Sequence, residues 1–154
     1  MSYPASKRLR IGRYSEPGRF YFLTCSVENR EPLFQDLWLA RAVVRQFRLA
    51  QEEGAGTSLA WVVMPDHIHW LVELHETPLD VLMRRFKSRS AYAINRLRQT
   101  RGRIWQAGFY DFALRREDNT RDVARYIIAN PIRAGLVEKV RDYPHWDAVW
   151  VAGG

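Results

Sequence analysis

The run Leu59-Ala-Trp-Val-Val-Met-Pro-Asp-His-Ile-His-Trp-Leu-Val-Glu73 decides the fold. Two apolar stretches meet at Pro65-Asp66, a turn-favouring dipeptide, so the segment reads as strands Ser58 to Met64 and His67 to Leu74 joined as a hairpin. Residues i and i+2 of a strand share a face, so His67 and His69 project together while Ile68 points into the core. Two of the chain's four histidines therefore stand side by side. Neutral imidazole ligates divalent metals, and a pair on a rigid strand is half of a metal site. Alone, the triplet reads more readily as an ordinary exposed strand face.

Upstream, Arg19-Phe-Tyr-Phe-Leu-Thr-Cys-Ser-Val27 reads as a first strand. Between Asp36 and about Glu53, Leu37, Ala40, Val43, Val44 and Phe47 recur at helical steps, and Gly54-Ala-Gly56 stops that helix. Downstream, Pro78 opens a helix with a buried stripe of Leu79, Leu82, Met83, Phe86, Ser90, Ala93, Ile94 and Leu97. Ile104 to about Arg115 alternates as a fourth strand. A last helix, capped by Asn119 or Thr120, turns Val123, Ala124, Ile127 and Ile128 inward and ends near Asn130-Pro131. The order β-α-β-β-α-β-α predicts an α+β fold: a ferredoxin-like split βαβ antiparallel sheet with helices on one face and an added C-terminal helix. Residues 1–18 read as a basic arm, carrying Arg8, Arg10 and Arg13, and residues 19–154 as one domain.

At 154 residues with 47% hydrophobic composition, such a domain can bury a core without disulfides. No apolar run is long enough to span a membrane and no signal peptide is visible, so the expected location is the cytoplasm. The single cysteine, Cys25, falls in an apolar strand and reads as an inert buried thiol. A net charge of +7 makes a polyanion the natural partner, because Lys and Arg displace counterions condensed on phosphates. Six Trp, seven Tyr and seven Phe add rings on which unpaired bases could stack, although most belong to the core.

The charge is concentrated. Between Val81 and Arg103 stand eight basic residues and no acidic one. On a helix Arg85, Arg89, Tyr92 and Arg96 fall within about 60° of one another, a rail suited to a nucleic-acid backbone. Such a face repels itself unless an anion is near. On the last helix Tyr126 and Asn130 lie one turn apart. An amide oxygen could complete a magnesium or manganese site with two imidazoles, and a tyrosine beside it could act as a nucleophile. Read without the histidines, Tyr126 is a packing residue and Asn130 a helix C-cap. Asp66 could orient an imidazole or contact DNA, or simply serve the turn. No zinc spacing, phosphate-binding Gly-rich loop or serine nucleophile elbow is present, so no small-molecule cofactor is expected.

Three blocks, Val63-Met-Pro-Asp-His-Ile-His-Trp-Leu-Val-Glu73, Trp105-Gln-Ala-Gly-Phe-Tyr-Asp-Phe-Ala-Leu-Arg115 and Ala124-Arg-Tyr-Ile-Ile-Ala-Asn-Pro-Ile-Arg-Ala-Gly-Leu-Val137, together resemble the single-tyrosine HUH transposases, in their REP-associated branch. The resemblance implies His67 and His69 as metal ligands, Asn130 as a third ligand where related transposases carry glutamine, and Tyr126 as nucleophile. It also implies magnesium or manganese, a single-stranded or hairpin DNA substrate, and a 5′-phosphotyrosine intermediate that a 3′-hydroxyl later resolves. A monomer is expected rather than a homodimer. A hairpin-binding protein without chemistry would need only the basic rail, and a metal-dependent RNA nuclease would use water and dispense with Tyr126. Tyr92 is the rival tyrosine, but Arg96 rather than an amide stands one turn beyond it.

Overall fold

The computed structural model describes residues 7–8, 15–115 and 118–152. Among these residues six strands form one antiparallel sheet: β1 (Lys7–Arg8), β2 (Phe20–Ser26), β3 (Gly56–Met64), β4 (His67–Leu74), β5 (Phe109–Ala113) and β6 (Trp146–Ala148). Their spatial order is β1-β5-β2-β4-β3-β6. The inner four, with helices α1 (Leu37–Glu52) and α2 (Leu79–Arg98) as crossovers, make the expected ferredoxin-like unit. Helix α3 (Thr120–Ile128) follows, and then short α4 (Asn130–Arg133) and α5 (Val149–Ala152).

Strand alternation distributes the core to both faces of the sheet. Leu23, Cys25, Ile68, Trp70 and Val72 point to the side covered by α1 and α2, where Phe47 stacks on Trp61 and meets Trp70 at a ring separation of 4.9 Å. Phe22, Val62, Met64 and Leu71 point to the other side, where α3 buries Val123, Ala124 and Ile127. The added C-terminal helix thus takes the face that the crossovers leave open. A β2–β4 pairing of Thr24 with His69 and Ser26 with His67 puts both histidines on that second face.

Local chemistry explains the element ends. The Asp36 carboxylate accepts from the backbone N–H groups of Trp38 and Leu39 at 2.8 and 3.3 Å, and the Asn119 side chain does the same for Arg121 and Asp122 in α3. At Gly56 a side-chain carbon would stand 2.8 Å from Val72 Cγ2 and 2.9 Å from the Glu73 carbonyl, so any other residue there forces the strands to shift.

Some expectations needed correction. The expected fourth strand, Ile104 to Arg115, contracts to Phe109–Ala113, with Trp105 making one isolated bridge to Val27. Lys87 Nζ donates to the carbonyls of Gln106 and Gly108, both at 2.8 Å, which holds the preceding loop out of the ladder. The core ends at Ile94, so Leu97 is 56% exposed, and Leu37 lies outside the apolar stripe of α1. Nothing in the period of the C-terminal tail announced β6, which pairs with β3. No described helix is long and apolar enough to cross a membrane.

Candidate active site

The Pro65-Asp66 turn is pinned from two sides: Phe34 N–H donates to the Pro65 carbonyl and Val27 N–H to the Asp66 carbonyl, both at 2.9 Å. That fixes the start of β4. His67 Nδ1 lies 2.7 Å from Asp66 Oδ1 and His69 Nδ1 lies 2.8 Å from Thr24 Oγ1. A carboxylate only accepts, so Nδ1 of His67 carries the proton and the neutral ring keeps its lone pair on Nε2. Asp66 is held in turn by Arg30, whose Nε donates to Oδ2 at 2.9 Å and whose terminal nitrogen donates to Ser26 Oγ at 3.2 Å.

The two imidazoles stand edge to face with centroids 4.9 Å apart. Burial pushes the His67 imidazole below its ordinary range, partly opposed by Asp66. Burial pushes His69 down to about 3, helped by the neighbouring His67 and by the cations Arg133 and Arg30. Burial alone would raise the Asp66 carboxyl, but hydrogen bonds from His67 and Arg30 outweigh it and hold the group low. Both imidazoles are therefore neutral at neutral pH, the form that binds metal.

Across from them stands Tyr126 on α3. Phe22 bridges the two sides, its ring 5.4 Å from that of His69 and 6.2 Å from that of Tyr126. His67, His69, Thr24, Arg30, Asp111 and Tyr126 share in lining a cleft of about 250 Å³. A wider hollow of about 650 Å³ near Glu16 to Phe20 holds the ion pairs Arg19–Glu16 and Arg115–Asp118 and no histidine, so the smaller cleft is the better candidate for chemistry.

Tyr126 and the histidine pair, expected to meet, do so within one chain. Asn130 stands half-buried at the start of α4, one turn past Tyr126, and is not among the described residues that line the cleft. No group of three or more His, Cys, Asp or Glu side chains suited to a metal occurs among the described residues.

Arg85, Arg89, Tyr92 and Arg96 lie exposed on α2, on the face of the sheet opposite the cleft. Three of the basic residues from Arg84 to Arg103 find acids on other elements: Arg89 with Glu53, Arg98 with Glu31 and Arg103 with Glu28. Arg8 belongs to β1, paired through its backbone with Phe109, and Arg10 and Arg13 lie outside the described residues.

Sequence reasoning missed Thr24, Arg30 and Arg133. Thr24 was detectable, since Phe22, Thr24 and Ser26 alternate onto the histidine face once the strands are paired. Arg30 carried no local signal: it reaches Asp66 because Asn29 and Arg30 both take left-handed backbone, φ 58° and 54°.

The chain belongs to the IS200-like transposase family, which it matches over residues 20–130. It is similar to a REP-associated tyrosine transposase of Escherichia coli K12, 29% identical over 137 residues, covering 86% of this chain and 78% of the relative. A further relative, from Haemophilus influenzae, is 26% identical over 143 residues, covering 83% of this chain and 78% of its own length. A solved REP-associated tyrosine transposase bound to a REP hairpin superposes with a TM-score of 0.70 at 27% identity, covering 87% of this chain and 79% of that one.

Proposed function

We propose that the cleft is the active site of a metal-dependent single-stranded DNA endonuclease and strand transferase that acts on REP-type hairpins through a 5′-phosphotyrosine intermediate. One observation carries the proposal: His67 and His69 on β4 and Tyr126 on α3 line the same cleft. The hairpin bound to the similar solved transposase supports the choice of substrate.

Two neutral imidazoles, one tied to a carboxylate through Nδ1, suit a divalent ion, since ligating histidines commonly donate their other nitrogen in this way. His67, His69 and the Asn130 amide would hold magnesium or manganese. Such an ion would supply Lewis-acid polarisation of the scissile phosphate and offset the charge that develops on it.

The remaining steps belong to the protein. Thr24 sets the orientation of His69, and the Arg30–Asp66 pair sets that of His67. Tyr126 Oη bonds to phosphorus as the P–O3′ bond breaks; the phenol loses its proton and the departing 3′-oxygen gains one. Because one phosphodiester replaces another, attack by a 3′-hydroxyl on the phosphotyrosine rejoins a strand without an outside energy source. The basic rail on α2 and the arm of residues 1–18 serve the DNA backbone, with 19–154 as the catalytic domain. Assembly of the cleft within one chain supports action as a monomer, and a DNA substrate supports a cytoplasmic location.

The test is a labelled single-stranded hairpin incubated with manganese and resolved on a denaturing protein gel. A covalent adduct that Tyr126→Phe abolishes is the expected outcome. Cleavage that survives in that variant, or no adduct from the wild type, defeats the proposal.

A further inference from the structure

We propose that Arg133 is a positioning residue for Tyr126: its guanidinium, stacked on the phenol ring and tied to the same residue's backbone, aims the nucleophile before DNA arrives. This rests on the reading of Tyr126 given above. The Arg133 Cζ lies 4.0 Å from the Tyr126 ring centroid. The other described arginine–aromatic stacks, on Trp38, Trp150 and Tyr92, are looser at 5.2, 5.6 and 5.8 Å. A terminal nitrogen of Arg133 also donates to the Tyr126 carbonyl at 2.7 Å. Ring and backbone of one residue are thus gripped by a single planar group. A tyrosine side chain turns about two torsions, and a plane fixed against both its ring and its backbone restrains both.

The path of the chain makes this grip attainable. Pro131, buried near the start of α4, lacks the N–H that would continue α3, and the chain re-forms as α4, ending at Arg133. Phe22 gives the ring a second contact. Lysine cannot substitute, because a tetrahedral ammonium neither stacks flat nor offers a fork of donors. Arg133 is exposed, so its removal spares the core.

The test compares Arg133→Ala and Arg133→Lys with the wild type in single-turnover adduct formation at saturating hairpin and manganese. Arg125→Ala, which removes an exposed arginine paired with Asp122 on α3, controls for loss of charge. Both Arg133 variants are expected to form adduct about 10- to 100-fold more slowly, the scale of a nucleophile displaced by about 1 Å. Hairpin Kd should stay within about twofold and Tm unchanged, and Arg125→Ala should keep the wild-type rate. A wild-type rate in Arg133→Ala, a full rate in Arg133→Lys, or a Kd or Tm loss that accounts for the slower rate overturns the inference. An adduct that requires Tyr126 yet ignores Arg133 defeats this inference alone; a wild type that forms no adduct defeats the parent proposal with it.

Discussion

Asp66 shows what a single side chain contributes here. One carboxylate oxygen takes the proton of His67 Nδ1 and the other takes Arg30 Nε–H, so a turn residue fixes both the tautomer and the angle of a metal-competent imidazole. Asp66→Ala is expected to weaken manganese binding by about 10- to 100-fold in calorimetric titration, and His69→Ala to abolish it. Equal binding by Asp66→Ala and wild type would show that the carboxylate serves only the turn. Cys25 makes the opposite case, a reactive group made inert. Burial pushes its thiol up to about 12 from 9.0, with Lys87 opposing. Because the folded value exceeds the unfolded one, the thiol's contribution is complete below pH 9 and is lost as pH rises toward 12. Denaturant melts between pH 9 and 11 should show stability falling as pH rises, a slope that Cys25→Ala reduces.

The elements divide the work by face. The α1 and α2 side of the sheet carries the large aromatic core, and the α3 side carries the cleft. The basic rail is therefore a surface distinct from the catalytic one. The double variant Arg85→Ala with Arg96→Ala should lower hairpin affinity and reduce the salt slope by about two charges, measured by anisotropy across salt concentrations. An unchanged slope would remove the rail from the DNA path. The sheet depends on Gly56 in a different way. Gly56→Ala forces a carbon against the Val72 side chain and the Glu73 carbonyl at the mouth of the β3–β4 hairpin, and should cost about 1–3 kcal/mol in urea unfolding.

For the whole molecule, the cleft draws both walls from one chain, which makes catalysis in cis the expectation. A mixture of Tyr126→Phe protein with His67→Ala protein tests this directly. If the active site is built in cis, the mixture forms no more adduct than either variant alone. Recovery of adduct on mixing would instead place the tyrosine of one copy beside the histidines of another.

The sequence by itself determined the order of the four inner strands, the two crossover helices and α3, and the strand face shared by His67 and His69, because each is a local matter of period and turn chemistry. It also set Tyr126 and Asn130 four residues apart, but α3 ends at Ile128 and Asn130 begins α4, so the two do not share one helix. Which side of the sheet received α3 was decided only by tertiary structure: the crossovers had already covered one face, and Phe22, Val62 and Leu71 needed a cover on the other. Tertiary structure likewise supplied Glu53, Glu31 and Glu28 to a basic stretch, α2 and the loop after it, that looked wholly unpaired. It also brought Arg30 to Asp66 and Arg133 onto Tyr126. A guanidinium's reach depends on where separate elements come to rest, and no period along the chain encodes that distance.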